Sequence, residues 1–213
     1  MYKKLVFIFI AALMGACTPR QQADEKTLYV SILPLRSLVE EIVGDDFKIE
    51  VLVPLGASPE TFEPTPRQFI GLNRAEMIFN VGLIDFETTL LSKIEERGKV
   101  VNLSQGIELI AGSCSHACTH AEQETSGGHG TSHAETHNHS HAHGVDPHVW
   151  TSPRALQKMA QNAYAAIRRA YPDSVKYETN YKRLQADLRA LDARTGEKIA
   201  QSGIEYFIIS HPA

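Results

Sequence analysis

The chain has 213 residues, 43% of them hydrophobic, which is enough to bury a core and excludes a wholly disordered protein. Lys and Arg number 21 against 25 Asp and Glu, for a formal net charge of -4. With no basic excess to meet a phosphate backbone, nucleic acid is not an expected partner.

The first element is an export signal. Lys3 and Lys4 precede an unbroken apolar run from Leu5 to Met14, followed by Gly15, Ala16 and Cys17. A basic start, a short apolar stretch and small residues before a cut mark a secretory signal over 1–16, too short to span a bilayer. Leu13 and Met14 with the small residues before Cys17 resemble a bacterial lipobox, which implies cleavage before Cys17 and acylation of its thiol. An ordinary cleaved signal with an incidental cysteine is the alternative. Several acyl chains, at roughly 0.8 kcal/mol per buried methylene, would anchor the protein durably to the membrane. Residues 17–26 then form the lipidated Cys and a polar tether.

From Thr27 short apolar runs alternate with helical stretches, the pattern of an α/β fold: a parallel open sheet flanked by helices. The spacing predicts strands over 27–33, 48–54, 77–82 and 99–104. Leu35, Leu38, Val39, Ile42 and Val43 have helical spacing after the first strand. Thr65 and Pro66 supply an N-cap and first helical residue for PRQFIGLNRA, and a third helix is expected near 86–97. Residues 27–152 are therefore read as an N-terminal α/β lobe. Its interruption at 112–144 is rich in Gly, Ser, Thr, Ala, Glu and His without apolar periodicity, as expected of a mobile loop. Helices fill 153–203. The first has Leu156, Met159, Ala160, Ala163 and Ile167 on one face; the second, longer one carries Tyr177, Tyr181, Leu184, Leu188 and Leu191 and runs to Ser202-Gly203. EYFIIS (205–210) reads as a fresh strand, so 204–213 is taken as the start of a truncated second lobe.

Eight of the ten histidines lie in the interruption: His116, His120, His129, His133, His137, His139, His141 and His143. Imidazole binds Zn, Cu and Ni well, and no Lys or Arg between Lys99 and Arg154 repels a dication. A solvated spacer and a pH-responsive segment are the bland readings. Cys114, His116, Cys118 and His120 have the composition of a tetrahedral zinc site, though not the spacing of a zinc finger. In an oxidising compartment Cys114 and Cys118 could pair instead.

Two other segments fall just beyond strand carboxyl ends, where open parallel sheets place their ligands. GASPETFEPTP (56–66) carries Glu60 and Glu63 after the second strand. DPHVWTSP (146–153) presents His148 beside Asp146 and Trp150, and His211 follows the strand 205–210.

GASPETFEPTP, DPHVWTSP and ISHPA, in this order around a His-rich loop, resemble the zinc-binding (ZnuA-like) branch of the metal-receptor family of ABC importers (cluster A-I). The likeness runs from about Thr27 to Ala213 and includes VSILPLRSLVEEIVGD. It implies two α/β lobes joined by a long rigid helix, with metal held between them and little hinge motion. It also implies a permease subunit of an ABC importer as partner and a periplasmic or cell-surface location. Residue by residue, His148 matches the family's second ligand and His211 its third. Glu60 stands where the first ligand is usually a His; Glu63 matches a position that looks structural. A carboxylate binds zinc at about the same distance as imidazole, but it hardens the site toward Mn2+ or Fe2+. The His-rich loop is associated with zinc receptors, so Zn2+ is the expected metal.

A binding module without catalysis is therefore the expected function. A zinc hydrolase using Glu60 or Glu63 as base would need support that neither an HExxH helix nor a nucleophile elbow provides. An adhesin-type surface lipoprotein is the third reading.

Overall fold

A computed structural model describes residues 26–109 and 145–206 of the chain. The signal, Cys17 and the tether up to residue 25, the His-rich segment with Cys114 and Cys118, and His211 all lie outside the described residues.

Four strands form one parallel sheet: β1 (Thr27–Val30), β2 (Lys48–Val51), β3 (Met77–Asn80) and β4 (Val100–Asn102), in the order β2-β1-β3-β4. Three helices make the crossovers: α1 (Leu33–Val43), α2 (Pro66–Arg74) and α3 (Asp85–Leu91). Register pairs Val30 with both Val51 and Phe79, and Phe79 with Val101. After the His-rich segment come α4 (Pro153–Ala170) and α5 (Val175–Ser202). The parallel α/β architecture is the one expected.

Helices cover both faces of the sheet. Leu28, Val30 and Phe79 pack with Leu35, Val39 and Ile42 of α1, Met159 and Ile167 of α4, and Tyr177 and Leu188 of α5. On the other face Ile78 meets Leu72 of α2 and Leu90 and Leu91 of α3. Every residue of β3 is buried, as a central parallel strand between two helix layers requires. Burying each such Leu, Ile or Phe contributes about 1.5–3 kcal/mol before chain entropy is counted.

Several boundaries follow local chemistry. Thr65 caps α2 in a complete capping box: its hydroxyl accepts the Gln68 N–H at 3.3 Å, and Gln68 Oε1 accepts the Thr65 N–H at 2.9 Å. The Gln68 side chain also donates to the Leu52 carbonyl at 2.8 Å, tying α2 to the end of β2. The expected strand 27–33 stops at Val30 because Leu33 and Pro34 open α1. The helix expected over 86–97 ends at Leu91. Lys93 N–H and Ile94 N–H bond back only three residues, and the Arg97 guanidinium takes the Ser92 carbonyl at 3.0 Å.

Of the two later helices, α4 buries Met159, Ala160, Ala163 and Ile167 as its spacing predicts. At about 1.5 Å per residue α5 is roughly 42 Å long, and it ends at Gly203 in the left-handed conformation. Among the described residues its apolar face packs only as far as Leu188. Leu191 is 40% exposed and Ile199 63%, so the outer part of the helix extends past the lobe. Residues 204–206 carry no regular element, and the rest of the expected strand 205–210 is outside the described residues. Among the described residues no helix is long and apolar enough to cross a membrane.

Candidate metal centre

The order β2-β1-β3-β4 reverses direction between β1 and β3, and ligands of open parallel sheets gather over the carboxyl ends at such a switch. The floor there is polar. Ser31, directly after β1, is fully buried, and Glu87 of α3 is buried beneath the turn that follows β3. The Glu87 carboxylate accepts N–H bonds from Val81 at 2.9 Å and Gly82 at 2.7 Å. Burial pushes its pKa up, against the lowering effects of the Ser31 hydroxyl and the backbone donors. Among the described residues Ser31 Oγ meets strict hydrogen-bond geometry with no group, yet it lies close enough to Glu87 to favour the carboxylate. Gly82 has φ of +80°, and a Cβ there would collide with the Asn102 side chain. Glycine is thus required for the turn between β3 and α3.

The segment after β2 is a chain of short turns. Ala57 N–H bonds to the Pro54 carbonyl at 3.1 Å and Thr61 N–H to the Ser58 carbonyl at 3.3 Å. These lead into a 3-10 turn, Pro59–Thr61, whose middle residue is Glu60. Phe62 seats the turn against α3, its ring 5.3 Å from that of Phe86 in an edge contact. Glu63 is exposed.

The segment before α4 is the better defined of the two. Asp146 Oδ1 accepts the His148 backbone N–H at 2.9 Å and lies 2.7 Å from His148 Nδ1. The Trp150 ring meets the imidazole edge-on at 5.1 Å. A 3-10 turn, Val149–Thr151, follows, with Thr151 donating to the His148 carbonyl from both N at 3.1 Å and Oγ1 at 2.8 Å. Ser152 then caps α4, accepting the Ala155 N–H at 3.4 Å, with Pro153 in the first turn. Phe62, Leu83, Phe86, Val149 and Trp150 all pack against the same core cluster.

Of the expected ligands, then, His148 is placed with its partners, and Glu60 is placed by its backbone. His211, the loop histidines and the two loop cysteines are outside the described residues. Among the described residues no three His, Cys, Asp or Glu side chains are gathered closely enough to hold a metal ion. Sequence reasoning missed Glu87. Its only signal was an acidic residue in the first turn of a helix after a glycine, which is ordinary at helix starts.

Comparison with known proteins bears on what the arrangement serves. The family described as "Zinc-uptake complex component A periplasmic", ZnuA, matches residues 28–213. The high-affinity zinc uptake system protein ZnuA of Bacillus subtilis is 33% identical over 230 aligned positions, covering 100% of this chain and 67% of that protein. The zinc-binding lipoprotein AdcA of Streptococcus pneumoniae is 25% identical over 208 positions, covering 95% of this chain and 39% of that one. Among solved structures, a ZnuA deletion mutant with zinc bound superposes with a TM-score of 0.64 at 27% identity, covering 82% of this chain and 58% of its own. This chain thus spans only part of the length of the relatives it matches. A family match over nearly all the described lobe, with the sheet and the DPHVW segment in place, establishes that the chain belongs to the ZnuA family of periplasmic zinc-uptake components.

Proposed function

We propose that this protein captures zinc outside the cytoplasmic membrane and delivers it to the permease subunit of an ABC-type importer, without catalysing a reaction. The observation that carries the reading is His148, held by Asp146 on a pre-formed turn in a chain of the ZnuA family. Glu60 and His211 complete the protein ligands of the cleft, and Cys17 carries the lipid anchor. The histidines from His116 to His143, with Cys114 and Cys118, gather additional zinc. Relatives named for zinc uptake and zinc binding support zinc as the cargo. Glu60, a harder donor than imidazole, favours Mn2+ or Fe2+ as the second reading.

Uptake of radioactive zinc by a strain deleted for the gene, with and without the gene restored, tests the role. Restoration should recover uptake at scarce zinc, with manganese uptake unchanged. Normal zinc uptake in the deleted strain, with loss of surface attachment instead, would favour an adhesin-type lipoprotein.

A further inference from the structure

His148 is bonded twice to one atom. Asp146 Oδ1 takes the residue's backbone N–H at 2.9 Å and faces its ring Nδ1 at 2.7 Å. An ionised carboxylate can only accept, so in the neutral ring the short contact requires the hydrogen on Nδ1 and puts the lone pair on Nε2. Because the same oxygen also holds the backbone N–H, the ring is fixed relative to its own main chain, not merely attracted to a nearby charge. Trp150 restrains it through the edge contact at 5.1 Å, and Thr151 holds the His148 carbonyl with two bonds. Both side chains of the pair are about four-fifths buried, at 21% and 22% exposure, which limits competition from water.

We propose that Asp146 is the positioning residue of the metal centre: it selects Nε2 as the ligating nitrogen of His148 and holds the ring ready before metal arrives. The proposal rests on the reading of His148 as a zinc ligand. Carboxylate partners of this kind orient ligating imidazoles and raise their basicity, and losing one typically weakens metal binding about 10–100-fold. A purely structural Asx turn would need only the backbone bond; the 2.7 Å ring contact is what such a turn leaves unexplained.

The test uses the full chain with 15N-labelled imidazoles, without metal, at a pH where His148 is neutral. Its signal is identified by its disappearance in His148→Gln. Two-bond 1H–15N correlation should show the Nδ1–H tautomer in the wild type and in Asp146→Asn, whose amide oxygen can still accept, and a shift toward Nε2–H in Asp146→Ala. Competition with a chelator, read by the fluorescence of Trp150, the single tryptophan, should show the tightest zinc site weakened about 10–100-fold in Asp146→Ala and several-fold in Asp146→Asn. An unchanged tautomer in Asp146→Ala, or zinc affinity within threefold of wild type in that variant while His148→Gln loses it, overturns the positioning role. If His148→Gln itself binds zinc as wild type does, the ligand reading fails first and the proposal with it. Should Asp146→Ala not fold, Asp146→Asn decides: retained tautomer with weaker zinc supports the role, and unchanged affinity overturns it.

Discussion

The Glu87 carboxylate accepts the Gly82 N–H at 2.7 Å inside the core, closing the turn between β3 and α3 from below. With the Val81 bond, it satisfies two main-chain donors of the turn. Glu87→Ala should destabilise the protein by about 2–4 kcal/mol, since each orphaned buried donor costs roughly 1–3 kcal/mol. The midpoint of urea unfolding measures it. The charge itself works the other way. Burial raises the Glu87 pKa above its ordinary 4.5, so its contribution is fullest below pH 4.5 and is lost as pH rises through the raised value. The stability difference between wild type and Glu87→Gln should therefore move in favour of Gln as pH rises from 4.5. A difference independent of pH would show that the carboxyl titrates alike in the folded and unfolded chains.

Thr65 closes the stretch that carries Glu60 by capping α2 in a reciprocal box. Thr65→Ala should cost about 1 kcal/mol in urea unfolding. Thr65→Ser should recover most of it, because the hydroxyl is the acceptor.

The regions best read from sequence are those where one residue type has one local job. Thr65 with Pro66, Ser152 with Pro153, and Gly203 marked helix ends because caps and left-handed turns are chemically selective. The alternation of apolar runs likewise specified the parallel sheet. Glu87 was illegible because its partners are main-chain groups, and any sequence offers those. Leu191 followed the helical apolar spacing but is exposed, since periodicity cannot say where a neighbouring surface ends. In the candidate site, DPHVW drew attention to His148 by resemblance, but its two contacts with Asp146 needed coordinates. Glu60 and His211 still rest on position in the chain and resemblance.

If Glu60 ligates, Glu60→Ala should weaken the tightest zinc site by more than threefold, about 0.65 kcal/mol. Calorimetric titration in competition with a chelator measures it. Glu60→His should bind zinc at least as tightly as the wild type and discriminate more strongly against manganese, because imidazole is the softer donor.

Removal of residues 114–143 should lower zinc stoichiometry while leaving the tightest site intact. Each residue that the ion has to fix costs roughly 1–2 kcal/mol, so sites built from a sequence with no apolar periodicity should be looser than a pre-formed one. Metal binds the neutral ring, and free histidine titrates near 6.5, so the additional zinc should leave between about pH 5 and 6.5. Titrations of intact and shortened protein at several pH values check both effects. Loss of the tightest site on shortening would place loop histidines in the primary coordination shell.

The claim on which the rest depends is that His148 holds the captured zinc. Chelator competition on the protein lacking 114–143, with and without His148→Ala, tests it most directly, because the competing histidines are gone and Trp150 lies against the ring in question. The expected result is a single tight site weakened at least tenfold by the substitution, with the unfolding midpoint little changed. Equal zinc affinity in the two proteins would contradict the assignment and move the metal away from the DPHVW segment.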